Sequence, residues 1–126
     1  MVRCCTKNLE VATEWLRRAE SNLHLARLGT RADGILYEDF CFHCQQAAEK
    51  ALKALLILRV GTCPKTHSLE LLFTSLRASD CPIPEPVLQA VTLNDYAVST
   101  RYPGEYEPVT YEELIEALET ANSVVS

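Results

Sequence analysis

The chain has 126 residues, 12 of them basic and 17 acidic, for a formal net charge of −5. That length suits one domain spanning residues 1–126, with a core large enough to stand without disulfide or metal staples. A composition of 48% hydrophobic and 23% charged residues, with only 4 Gly and 6 Pro, excludes a disordered chain and argues against a turn-dense β-barrel or sandwich, and the acidic excess argues against a general nucleic-acid binder.

The residues from Met1 to Lys7 form no signal-peptide pattern, and the longest apolar run, Ala54 to Leu58, falls far short of the about 20 residues that span a bilayer. A cytoplasmic protein without membrane contact is expected. Apolar residues then recur at helical spacing. Leu9, Ala12, Trp15/Leu16, Ala19, Leu23 and Ala26 predict a first helix capped at Gly29, with a loop through Gly34. Tyr37, Phe40/Cys41, Cys44, Ala47/Ala48, Ala51/Leu52, Leu55 and Leu58 predict a second, ended by Gly61 and Pro64. Its outer face should carry Gln46, Glu49, Lys50 and Lys53, with Glu49 and Lys53 in the favourable order for an ion pair. Apolar residues nearly all round at Ala54 to Leu58 place this helix centrally or across a dimer interface.

Leu69, Leu72, Phe73 and Leu76 predict a shorter helix opening near Ser68. Pro86 should open the next, through Val87, Val91, Asn94/Asp95 and Val98. After a break at Arg101-Tyr102-Pro103-Gly104, the capping box Thr110-x-x-Glu113 starts a last helix through Leu114/Ile115, Leu118, Ala121/Asn122 and Val125. No segment alternates as a strand would. The fold class is all-α, an up-and-down bundle of four long helices plus one short helix.

Charge is split along the chain: ten basic residues face seven acidic through His67, and two face ten from Ser68 onward. Cys41-x-x-Cys44 has the spacing of a redox or zinc pair, but both thiols fall on the apolar stripe, so core packing is the expected role and no metal or cofactor is expected. His24 and His43 lie within helices, where a lone imidazole more often packs than ligates. Two polar clusters stand out. Lys65-Thr66-His67-Ser68 brings a cation, an imidazole and hydroxyls to a helix start, which is either an anion site or an ordinary cap. Asn94-Asp95-Tyr96 leads to Arg101-Tyr102, where the arginine either grips a phosphate beside a stacking tyrosine or clamps the helix end.

Tyr37-x-x-x-Cys41-Phe42-His43-Cys44-Gln45-Gln46-Ala47-Ala48-Glu49-Lys50-Ala51-Leu52-Lys53-Ala54-Leu55-Leu56 resembles the signature helix of HEPN domains. Thr66-His67-Ser68-Leu69-x-x-Leu72 and Leu93-Asn94-x-Tyr96-x-x-x-x-Arg101-Tyr102-Pro103 resemble the family's downstream motifs, in order, and the likeness runs from about Trp15 to Leu118. The resemblance implies a homodimer, a nucleotide-binding role, and pairing with a minimal nucleotidyltransferase (MNT) as a toxin–antitoxin couple. It also implies metal-independent ribonuclease activity where the family carries Arg, four to six residues, then His, near the last helices. This chain has no histidine after Arg101. Arg17 and Arg18 precede His24 at formal spacing, but in the wrong helix.

The expected function is therefore binding of a nucleotide, or of a nucleotidyltransferase that presents one, with dimerisation through the second helix. Arg101 and His67 would contact phosphate, Tyr102 would stack, and Lys50 and Lys53 would add positive charge. The alternatives are an RNA-cleaving toxin with an unorthodox site and a purely structural interaction module. Since the family's partners can transfer nucleotides onto tyrosine, Tyr102 and Tyr106 are acceptor candidates.

Overall fold

The structure, a computed structural model, describes residues 5–31, 33–96 and 108–125. Those residues form helices α1 (Cys5–Arg27), α2 (Tyr37–Val60), α3 (Leu69–Ala78), α4 (Glu85–Leu88) and α5 (Tyr111–Val125), with no strand among them. The all-α bundle expected from the periodicity is what forms. None of these helices is long and apolar enough to cross a membrane.

Helix α2 is the central post, touching every other helical layer except α4 extensively, and its largest interface is with α1. Its all-round apolar stretch is buried as expected, with Ala54, Leu56 and Ile57 enclosed and only Leu58 largely exposed. Cys41 and Cys44 lie fully buried in the main core with Phe40, Leu52, Leu72, Phe73, Leu93 and Leu114. Burial pushes the Cys44 thiol up to about 12, so it stays protonated and packs as a small hydrophobe. A satellite core of Ala12, Ala54 and Ile57, flanked by Trp15 and Cys63, seals α1 against α2. Two positions of the expected α1 stripe do not follow it inward: Leu9, at its start, is 56% exposed and Leu16, near its middle, 37%.

The caps fall where the residues dictate. Gly61 adopts φ 94° and donates its N–H to Leu56 and Ile57 carbonyls, a left-handed stop that α2 needs glycine to make. Thr110 and Glu113 form the reciprocal capping box, at 3.0 and 3.1 Å. Edge-on contact of Tyr37 with Tyr111 joins the starts of α2 and α5, and Arg27 donates to Asn122 across α1 and α5.

Two local expectations are modified. Gly29 is not a left-handed cap. It sits buried in a short 3₁₀ turn, Leu28–Thr30, where a Cβ would lie 2.6 Å from Phe40 and 2.8 Å from Leu114. The requirement is close approach of backbone to core, not φ. The helix opened by the prolines is also brief: α4 gives way to a 3₁₀ segment, Gln89–Tyr96. Val91, Thr92 and Asn94 are weak α-formers, and the Thr92 hydroxyl bonds back three residues to the Gln89 carbonyl.

Gly29→Ala should lower stability by about 1–3 kcal/mol, because the methyl must displace a buried ring. Urea denaturation measures this; a loss no greater than that of an exposed Glu20→Ala control in α1 would contradict the packing argument.

Candidate functional site

A carboxylate inside the bundle organises the polar edge of α2. Glu49 is 2% exposed and accepts from Lys53 Nζ at 3.0 Å, one helical turn on. His67 Nδ1 lies 3.1 and 3.2 Å from its two oxygens, and Gln45 Nε2 donates to it at 3.3 Å. Gln45, fully buried, also donates to the His67 carbonyl at 3.1 Å and accepts from Gln46 at 2.8 Å. Among the described residues no buried side-chain polar atom lacks a partner. A buried ion costs several kcal/mol unless its lone pairs are met, and here Lys53, His67, Gln45 and, at 3.5 Å, Gln46 meet them.

This corrects the expected outer face of α2. Glu49 and Lys53 are buried, because Trp15 of α1 covers one side and the 61–68 loop covers the other. The Lys53 ammonium lies 5.2 Å from the Trp15 ring centroid, where a desolvated cation meets the electron-rich face of the indole. Lys53, expected to supply positive charge to a ligand, is spent inside the protein. What could have revealed this is the spacing of Gln45, Glu49 and Lys53, three polar residues four apart on one stripe of an otherwise apolar helix.

His67 is different. Its side chain is 76% exposed while its Nδ1 is held by the buried carboxylate. Since an ionised carboxylate only accepts, the neutral ring must carry its proton on Nδ1, leaving the Nε2 lone pair toward solvent. The helix start beside it is already capped. Thr66 Oγ1 takes the Ser68 amide, Asn94 Oδ1 takes the Leu69 amide at 3.0 Å, and Ser68 Oγ takes the Leu71 amide. The capping role of this cluster is thus present, and the ring rather than the amides faces outward. The Asn94–Leu69 bond brings two motifs 25 residues apart to one place.

Lys50 stands on the adjoining face, donating to Asn22 Oδ1 at 2.7 Å, while Asn22 Nδ2 donates to His43 Nδ1 at 3.0 Å. Sequence reasoning missed Asn22, which carries no local signal in α1. Burial, then nearby Arg18 and Lys53, lower the Lys50 pKa, with Glu49 opposing. Burial and Lys50 likewise lower that of His43, against Asp39. Arg101, Tyr102 and Tyr106 lie outside the described residues, and no group of three or more His, Cys, Asp or Glu residues among the described ones could hold a metal.

With this geometry in view, the chain is a helical-bundle protein whose signature helix ties a histidine loop to a buried glutamate. It belongs to the HEPN domain family, which matches residues 12–126. It is similar to a Thermus thermophilus protein of solved crystal structure, TT1696, with 36% identity and a TM-score of 0.75 over 90% of this chain and 92% of that one. It is also 29% identical, over 134 aligned positions, to a Methanocaldococcus jannaschii protein named "Putative toxin MJ1304", covering 94% of this chain and 86% of the other.

The charge balance of the network makes two outcomes testable. Glu49→Gln strands the Lys53 ammonium and should cost about 3 kcal/mol, whereas Lys50→Gln, which removes a crowded cation, should stay within about 0.5 kcal/mol; similar losses for both in chemical denaturation would refute the assignment. The second concerns acid. The folded state holds His43 below its ordinary 6.5, so the unfolded chain binds that proton first. Its contribution to stability is complete above the unfolded pKa and is lost as pH falls toward the folded one. His43→Gln should flatten the stability profile between pH of about 7 and 5, and an unchanged slope would show that another group sets it.

Proposed function

We propose that this chain is one component of a HEPN-type toxin–antitoxin pair and that it works by binding a nucleotide, or an MNT-type nucleotidyltransferase that presents one, as a homodimer formed through α2. Family membership and the toxin in the archaeal relative's name support the class. The observation that supports this location for the site is the Asn94–Leu69 hydrogen bond. It docks the segment that leads in sequence to Arg101 and Tyr102 against the loop that presents His67. Phosphate would be met by Arg101 and His67, and a base by Tyr102. The lack of any histidine after Arg101 favours binding over the family's usual RNA cleavage, since that motif's proton acceptor is missing.

The test is the melting temperature with and without a panel of nucleotides, for wild type and Arg101→Ala. A ligand at a hundredfold excess over Kd stabilises the native state by about 2.7 kcal/mol. A nucleotide-specific rise that disappears in the variant is expected. No rise for any nucleotide would move the function to partner binding alone.

A second reading, RNA cleavage from an unorthodox site, draws on the Glu49–His67 pair. A buried carboxylate orients an exposed imidazole with a free Nε2 lone pair, the arrangement a general base requires. On this reading, expression arrests growth and degrades RNA, and His67→Ala abolishes both. Intact RNA after induction would remove it.

A further inference from the structure

Beside the Glu49 network, a second polar contact joins α1 to α2, and Asn22 is its centre. Asn22 Oδ1 accepts from Lys50 Nζ at 2.7 Å, and its Nδ2 donates to His43 Nδ1 at 3.0 Å. His43 and Lys50 stand two turns apart on one face of α2, so a single amide from α1 bridges both. All three residues are half-buried.

The chemistry of these groups permits one arrangement. An ammonium only donates, so Lys50 faces the amide oxygen and fixes which way Asn22 points. The amide nitrogen also only donates, so His43 Nδ1 must present a lone pair to it. Neutral His43 therefore carries its proton on Nε2. That is the reverse of His67, whose Nδ1 faces a carboxylate.

Protonation of His43 breaks this arrangement. The new proton, taken from solvent, sits on Nδ1 and sets one N–H donor against another. The amide meets it by turning over, so that Oδ1 accepts from the imidazolium. Its NH2 end then faces the Lys50 ammonium, donor against donor, and Lys50 is expelled. A half-buried lysine on a flexible stem has a path to water. Leaving also relieves the burial and the nearby cations that lower its pKa.

The charged groups that act on the trio come from both helices. On α2, Asp39 favours the imidazolium and Lys50 opposes it; around Lys50, Arg18 of α1 and Lys53 add positive charge while Glu49 offsets it. Burial and Lys50 prevail over Asp39 and hold His43 below 6.5, so the neutral arrangement is the one present at neutral pH.

We propose that Asn22 is a proton-operated latch between α1 and α2: neutral His43 lets the amide hold Lys50 in the seam, and protonated His43 takes the amide oxygen and releases Lys50 to solvent. Acid thereby converts a cation tied into the bundle's largest helix interface into one displayed on the surface of α2. The latch does not depend on the nucleotide-binding reading.

The experiment is an NMR titration of the full chain from pH of about 8 to 5, spanning the ordinary histidine range. It follows the His43 ring nitrogens, the Asn22 side-chain amide and the Lys50 ε-methylene in wild type, Lys50→Met and Asn22→Asp. In the wild type, His43 should show the Nε2–H tautomer at the alkaline end, and the Asn22 and Lys50 signals should move with the His43 midpoint. In Lys50→Met the amide is free to turn, and the Nδ1–H tautomer should appear. In Asn22→Asp one carboxylate accepts from both partners. The His43 midpoint should then rise by about one pH unit or more, and the Lys50 signal should stay still through it. An Nδ1–H tautomer in the wild type would overturn the latch, as would Asn22 or Lys50 signals that stay flat through the His43 midpoint. Lys50 movement that persists in Asn22→Asp would also overturn it, showing that charge repulsion rather than the amide drives release. A simultaneous change of the whole spectrum would do so too, because the event would then be acid unfolding.

Discussion

A glutamate carboxylate enclosed in a helical bundle must find partners, and the layout of this protein's polar edge depends on how Glu49 finds them. One partner, Lys53, comes from the next turn of the same helix, and another, His67, from a loop beyond the helix end. Removing any donor would leave a buried charge partly unmet, so the 61–68 loop is fastened to α2 by the same interaction that stabilises α2's interior. From that fastening follow the start of α3, the docking of Asn94 on it, and the direction in which the His67 ring faces.

The same interaction divides two neighbouring lysines by role. Lys53 is neutralised by Glu49 and covered by Trp15, so its charge is not offered to solvent. Lys50, three residues earlier and on the adjoining face, is joined only to the neutral Asn22 among the contacts described, and burial lowers its pKa. One lysine therefore holds the architecture, and the other stands on the adjoining face, bonded to Asn22. The buried ion pair meets the histidine loop at its carboxylate and the Trp15 indole at its ammonium.

Most of the fold is legible in the sequence because its signals are local. Helical periodicity, the Gly61 stop, the Ser68 cap and the Thr110–Glu113 box each depend on residues within one or two turns. The shortening of α4 is not, since it depends on weak helix formers and on Asn94 spending its side chain on α3. Gly29 reads as a cap in one dimension because its role, clearance for Phe40 and Leu114, depends on residues 11 and 85 positions away. The site is legible in part. His67 and Lys50 stand on polar surfaces as residue chemistry suggests, whereas Lys53 is internal and Arg101 and Tyr102 lie outside the described residues. Asn22, Trp15 and Arg18 belong to the polar edge only through the α1–α2 packing, which a one-dimensional pattern does not contain.

The central claim, that buried Glu49 orients His67, is open to direct observation by ¹⁵N NMR of the histidine rings at a pH where His67 is neutral. The account predicts the Nδ1–H tautomer for His67, with an unprotonated Nε2, and a return to the mixture of an unconstrained ring in Glu49→Gln. A predominant Nε2–H tautomer in the wild type would contradict it, since Nδ1 could then donate nothing to the carboxylate.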